Sequence, residues 1–233
     1  MDKITLYQWP AITGLESASP FCMKIHWALA YKRLVFDPVT MADRAAVIAL
    51  NPRAKLPALK YGDNIISDST DIIRFIEERH PEPRLYPTDP AARARAIILE
   101  DWGDESLYWH LVYERWQIED QYDEYAAQLF PGVPRQVQRQ FRESVVQGLY
   151  GQGFGRMTVE QHRAKLGEAL DALDATLADA QFLCGNELSV ADIGVGAEIH
   201  GLDLPLTPAA SAEVRKRANV MRWLARIAKA VSA

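Results

Sequence analysis

Apolar positions in the first eighty residues follow two different periods. Ile4-Thr5-Leu6-Tyr7 alternates, which predicts a strand over 4–8, followed by a long loop over 9–18. Phe21, Ile25, Ala28 and Leu29 then recur at helical spacing, with Ser19 as the natural N-cap and Pro20 at the first helical position. Residues 34–39 read as a second strand and 41–50 as a short helix closed by Asn51-Pro52. Residues 56–61 and 65–67 read as strands of a hairpin turning at Gly62-Asp63-Asn64. A helix begins at Asp68-Ser69 and ends before Pro81, with Ile72, Ile73 and Ile76 facing inward. The predicted order is β-α-β-α-β-β-α.

The pattern then changes. Four prolines between His80 and Pro90 mark a linker, and beyond them nothing reads as a sheet. Asp89-Pro90 opens a long helix that places Ile98, Trp102, Trp109, Val112 and Trp116 on one stripe. Asp101, Asp104 and Glu105 on that helix read as a solvated or cleft-facing surface. A second helical run starts near Pro134, and the glycines of 151–155 read as a flexible connection between helices. Thr158-x-x-Gln161 is a capping box, followed by Leu166, Leu170, Leu173 and Leu177. Ser189-x-x-Asp192 opens another helix, with Leu188 and Ile193 placed as a hydrophobic staple. Val220, Trp223, Leu224 and Ile227 belong to a last helix. The expected organisation is an α/β domain over 1–80, a linker over 81–90 and an all-helical domain over 91–233.

Composition narrows the functional classes. At 233 residues and 48% hydrophobic content, a sizeable core is affordable. A net charge of −5, without a basic stripe, makes nucleic acid a poor partner. The N-terminal residues lack a signal-peptide apolar region and no apolar run reaches membrane-spanning length. Cys22 and Cys184 fall in different predicted domains, so no disulfide framework is expected, and a reducing, cytoplasmic setting is. Cys22 and His26 stand at i, i+4, but no further ligands accompany them, and no metal is expected.

Ser19-Pro20-Phe21-Cys22 carries the most chemistry. The first turn of a helix has unpartnered amide N–H groups and partial positive charge, which together stabilise a thiolate. Cys22 lies one turn inward and reads as a buried core thiol; whose sulfur such a position would hold stays open at this point.

The β-α-β-α-β-β-α half followed by an all-helical half resembles the cytosolic glutathione transferase family over nearly the whole chain, and four motifs strengthen the likeness. Asn51-Pro52-Arg53-Ala54-Lys55-Leu56-Pro57-Ala58-Leu59 resembles that family's strand motif with a cis proline, and Asp68-Ser69 resembles its acidic-residue-plus-serine pair. Arg84-Leu85-Tyr86-Pro87 is similar to its interdomain connector, and Ser189-x-x-Asp192 after Phe182-Leu183-Cys184-Gly185 to its helical-domain capping box. Leu6-Tyr7-Gln8-Trp9 and Gly151-Gln152-Gly153-Phe154-Gly155-Arg156 also resemble metaxin and failed-axon-connections relatives.

The resemblance implies a thioredoxin-like α/β domain and an all-α domain that share one site. Glutathione would be the cosubstrate and a hydrophobic electrophilic small molecule the second substrate, in a homodimeric detoxification enzyme. Leu56 before Pro57 would pair with the cysteinyl backbone of glutathione, and Lys55 would attract its glycine carboxylate. Asp68 would meet the γ-glutamyl ammonium, and Ser69 with the helix terminus its carboxylate. Ser19 is the expected thiol-contacting hydroxyl; Ser17, Thr13 and Cys22 are alternatives. A hydroxyl hydrogen bond and a helix terminus, each worth about 1 kcal/mol, would lower the thiol pKa by about one to two units. Trp9, Trp102, Tyr108, Trp109 and Tyr113 are candidate walls for the electrophile. Two other readings stay open: a non-catalytic binding protein of this fold, and a glutathione-dependent reductase or peroxidase using Cys22.

Overall fold

The computed structural model describes residues 2–41 and 43–232, and of residue 119 the backbone alone. Four strands form a mixed sheet in the order β2-β1-β3-β4, with β1 at Ile4–Gln8, β2 at Asp37–Thr40, β3 at Ala58–Tyr61 and β4 at Asn64–Ser67. β1 runs parallel to β2 and antiparallel to β3, with Leu6 opposite both Pro38 and Leu59. Helices α1 (Pro20–Tyr31), α2 (Arg44–Leu50) and α3 (Ser69–Arg79) complete this thioredoxin-like unit. Leu6, Ile25, Leu29, Leu59, Ile72, Ile73 and Ile76 fill its core.

Strand β2 starts three residues later than the pattern suggests. Arg33 takes a left-handed φ of 59°, and the Leu34 N–H donates to the Leu29 carbonyl at 3.0 Å. That helix-ending motif holds Leu34 against α1 and delays the strand. Helix α2 begins at Arg44 because the Asp43 carboxylate accepts from the N–H groups of Ala45 and Ala46. Residue 42, within the helix expected over 41–50, lies outside the described residues. Strand β3 begins after Pro57, which has no N–H to give a ladder.

The second half is helical: α4 (Pro90–Trp102), α5 (Tyr108–Val112), α6 (Glu119–Leu129), α7 (Arg135–Gln152), α8 (Val159–Thr176), α9 (Val190–Leu202), α10 (Pro208–Arg215) and α11 (Ala218–Ser232). The single stripe expected from Ile98 to Trp116 does not exist. π-helical segments at Gly103–Leu107 and Tyr113–Gln117 flank α5. Each inserted residue rotates the remainder of the helix by about 100°. Val112 and Trp116 are therefore buried, while Ile98 is 66% exposed. Residues 151–155 are not a flexible connection either. Gly151 is still helical, and Gly153 caps α7 with a φ of 90°. A Cβ on Gly155 would lie 2.9 Å from the Tyr150 nitrogen, so the turn is tight.

Helix α9 is buried along nearly its whole length and forms the centre of the helical unit. Its start is a complete capping box. Asp192 accepts from the Ser189 N–H and hydroxyl at 2.9 and 2.8 Å, and from Leu183 N–H and the Trp223 indole, both at 2.8 Å. A Cβ on Gly196 would sit 2.8 Å from Ile227 and 3.1 Å from Trp27, so glycine there lets α1, α9 and α11 approach closely.

Candidate functional site

Three separate segments meet beside the start of α1. Ser19 adopts extended backbone (φ −92°, ψ 125°), and its Oγ accepts from the Cys22 N–H at 3.4 Å. It stays partly exposed. Cys22, Leu56 and Ala58 pack in one buried cluster, edged by Tyr7 and Trp9. This contact sets the first turn of α1 against the Leu56–Pro57 segment, whose peptide bond is cis. The Asn51 side chain shapes the approach, donating to the Lys55 carbonyl at 2.8 Å and accepting from Arg53 N–H at 3.0 Å. Lys55 itself projects from the surface.

The third segment is the start of α3. Asp68 is its N-cap, accepting from Thr70 and Asp71 N–H at 3.0 and 3.4 Å, with a φ of 82°. That backbone is strained for a residue with a side chain, and such strain concentrates at functional positions. Ser69 is buried behind it.

Beneath the site lies a polar cluster that local pattern did not reveal. Lys24, on α1, is fully buried and pairs with Glu100 of α4, with Asp104 at 2.7 Å and with the Thr70 hydroxyl at 3.4 Å. Thr70 in turn donates to Glu100 at 2.6 Å. Asp104 is thus not solvated surface: its side chain is 14% exposed. Burial pushes its carboxyl up to about 6; Lys24 pulls it down, while Glu100 and Asp68 add to the rise. The available signal was a lysine within a helix buried on most of its positions, which demands acidic partners.

The alternative nucleophile contacts separate cleanly. Ser17 is 0% exposed and its hydroxyl donates to the Trp9 carbonyl at 2.9 Å, so its proton is committed. Thr13 lies at the exposed tip of the turn joining Ile12 and Leu15, its N–H held by Gln128 at 2.7 Å. Cys22 is buried, and desolvation raises its thiol, outweighing the opposing influence of the nearby Trp9 backbone and the Ser19 and Ser17 side chains. A protonated, enclosed thiol is a poor nucleophile.

Among the candidate aromatic walls, Tyr108 packs at a tilt against Phe21 of the first α1 turn at 4.8 Å and edge-on against Trp109 at 5.0 Å. The buried Trp109 indole N–H has no acceptor among the described residues. Trp9 flanks the Cys22 cluster, and Trp102 packs on the main core. Tyr113 is no wall. It is 2% exposed, stacks on His162 at 4.0 Å and donates to the Met157 carbonyl at 3.1 Å. Two cavities lie elsewhere: one of about 230 Å³ near Asp2, Leu34 and His80, and one of about 640 Å³ between α6 and α7. Neither is lined by Ser19, Leu56 or Asp68. Among the described residues no group of three or more His, Cys, Asp or Glu is arranged to hold a metal ion, and no helix is long and apolar enough to cross a membrane.

A mixed four-stranded sheet whose first helix opens at the site, joined to a helical unit built on a capped central helix, defines a thioredoxin-like plus all-α architecture. Residues 17–84 match the family model for the glutathione S-transferase N-terminal domain, and residues 156–226 that for the C-terminal domain. The chain belongs to the glutathione transferase family. It is 25% identical over 234 residues to isoprene-epoxide–glutathione S-transferase of Rhodococcus sp. (strain AD45), covering 97% of this chain and 98% of that protein. It is 25% identical over 205 residues to protein LigF of Sphingobium sp., covering 82% and 77%. The crystal structure of beta-etherase LigF from Sphingobium superimposes with a TM-score of 0.70 at 23% identity, covering 99% and 97% of the two chains.

Proposed function

We propose that this chain is a glutathione transferase in which Ser19 holds the cosubstrate's thiol as a thiolate for attack on an electrophilic carbon. The observation that carries the reading is that α1, with its partly exposed N-cap hydroxyl, packs through Cys22 on the Leu56–Pro57 segment and reaches the strained Asp68-Ser69 helix start through the contact of Lys24 with Thr70. Glutathione needs these functions together. Its extended peptide pairs with Leu56, and its γ-glutamyl ammonium faces Asp68, with Asp104 behind. Its γ-glutamyl carboxylate meets Ser69 and the α3 terminus, and Lys55 attracts the glycine end. Its sulfur then lies at the start of α1, where the Ser19 hydroxyl donates to it. There the Ser19 Oγ, which accepts from the Cys22 N–H, turns its own proton toward a charged acceptor. Carbon–sulfur bond formation follows with departure of the leaving group or opening of a strained ring, the electron pair coming from the thiolate.

The relatives named as a glutathione S-transferase for an isoprene epoxide and as a β-etherase support an electrophile with an oxygen at the reacting carbon. The unpartnered Trp109 indole N–H, beside Tyr108, supplies a donor for such an oxygen. Trp9 and Trp102 would complete the apolar wall. The exposed Ile97 and Ile98 of α4 and Ile65 of β4 are apolar surface for a second copy of the chain, in keeping with a homodimer; sedimentation of Ile98→Glu tests this. A cytoplasmic detoxification role fits the reduced cysteines.

Titration of bound glutathione tests the proposal. Its thiol is expected to ionise about one to two units below the free thiol, and Ser19→Ala to remove about one unit of that while binding persists. An unshifted thiol leaves a binding protein of this fold. Loss of a disulfide-exchange activity in Cys22→Ala would establish the redox reading instead.

A further inference from the structure

Arg115 is a buried cation that the proposed chemistry leaves unused. It lies in the π-helical Tyr113–Gln117 segment and is 2% exposed. No carboxylate lies within ion-pair distance of it among the described residues; instead Nη1 donates to the Ala18 carbonyl at 2.7 Å and Nη2 to the Gly201 carbonyl at 2.9 Å. Its guanidinium lies 5.4 Å from the Tyr125 ring centre, and its Nε has no partner among the described residues. Burying a guanidinium whose direct partners are two neutral carbonyls is expensive even with the buried Glu198 and Tyr125 nearby to favour its charge.

What Arg115 grips explains the expense. The Ala18 carbonyl belongs to the peptide that joins Ala18 to Ser19. The segment leading to it has little regular structure. Within the α/β unit it is tied by the paired Ile12–Leu15 backbone bonds, by Gln8 to the Glu16 carbonyl at 2.7 Å, by Ser17 to the Trp9 carbonyl at 2.9 Å and by Ala18 N–H to the Pro10 carbonyl at 2.7 Å, while Gln128 of α6 accepts from Thr13 N–H at its tip, five residues before Ala18. Arg115 ties the same peptide to the helical unit and, through Gly201, to the end of α9.

We infer that Arg115 is a positioning residue for thiol ionisation: by fixing the Ala18–Ser19 peptide from the helical unit, it sets where the Ser19 hydroxyl points. The inference rests on the Ser19 reading above. It also gives the helical unit, which supplies the electrophile wall, a direct hold on the nucleophile's state. Gly201 is part of the same fitting, because a Cβ there would lie 3.1 Å from Arg115 Nη2.

The test is a double-variant cycle on Ser19→Ala, Arg115→Met and the pair, reading the pKa of bound glutathione from its thiolate absorbance. Affinity is measured in parallel with S-methylglutathione, whose sulfur cannot ionise. Arg115→Met is expected to raise the bound thiol pKa by about one unit, a tenfold loss of thiolate below both pKa values. Affinity for S-methylglutathione should change less than about threefold, and in the Ser19→Ala background Arg115→Met should add little. Arg115→Lys, which keeps the charge and can reach one carbonyl, should shift the pKa by an intermediate amount; it carries the same test should the methionine variant not fold. An unchanged thiol pKa in Arg115→Met or Arg115→Lys overturns the inference, as does an equal shift with and without Ser19. If Ser19→Ala itself leaves the thiol pKa unmoved, the Ser19 reading has failed and this inference falls with it. If Ser19→Ala shifts it and the Arg115 variants do not, only the inference falls.

Discussion

Among the described residues two helices are N-capped by a serine, and the two serines are held in opposite ways. Ser189, at the start of α9, is buried and locked: its hydroxyl donates to Asp192 at 2.8 Å, and the same carboxylate takes three further donors. Ser19, at the start of α1, is partly exposed and loosely held, with one 3.4 Å contact from Cys22 N–H and a thiol, a weak acceptor, as neighbour. One cap spends its hydrogen-bonding capacity on stability. The other leaves its hydroxyl partly exposed, free under the proposal above for a ligand, and the peptide before it is held from the helical unit by Arg115. The same local motif thus serves architecture or chemistry according to how many partners the tertiary structure assigns it.

Removing Asp192 should have the largest effect. Asp192→Ala strands four buried donors, each worth about 1–3 kcal/mol, so a loss of about 4 kcal/mol or more is expected in denaturant unfolding. A value under about 1 kcal/mol would erase the contrast.

Acid should next strain the helical unit selectively. His110 and His162 contact each other at 3.0 Å, with Glu114 at 3.4 Å from His162. Burial pushes His110 down to about 4 and His162 to about 3; charged neighbours reinforce both shifts. Both are neutral in the folded state while the unfolded chain protonates near 6.5, so their contribution is whole above pH 6.5 and falls as the pH drops. Asp104 opposes this trend, since its raised carboxyl keeps a proton up to about pH 6 in the folded state only. A comparison with His162→Gln isolates the histidine: between pH 6.5 and 4 the native protein should lose about 1.4 kcal/mol per pH unit relative to that variant. Parallel stability curves would contradict it.

Swapping the caps sharpens the comparison. Ser189→Ala should cost about 1–2 kcal/mol and leave the bound thiol's ionisation alone. Ser19→Ala should cost under about 1 kcal/mol of stability, yet lower conjugation at neutral pH by about tenfold or more. Equal losses of activity in the two variants would remove the functional distinction. Smallest of all, Cys22→Ala should leave conjugation within about threefold, at the cost of a minor cavity.

The start of α1, both capping boxes, the hairpin and the β-α-β-α-β-β-α order were legible because their causes sit within a few residues of their effects. Thr158 and Gln161 satisfy each other three positions apart. The cap at Asp68 and the proline break before β3, which the proposed site uses, were legible too. Lys24 and Arg115 were not, since Glu100 lies 76 residues from Lys24 and Ala18 lies 97 from Arg115. The π-helical segments escaped for a related reason: they alter the period itself, so a fixed helical period carries Ile98 and Trp116 onto a face they do not share.

The sequence by itself determined which residues cap, which turn and which face a core, because helix ends and alternating strands are decided by near neighbours. Only the tertiary structure decided which capping serine stays reachable, which acid sits beside the buried lysine, and which arginine holds the active loop. Those choices depend on desolvation, and whether a charge is desolvated is set by chain segments distant in sequence that pack over it.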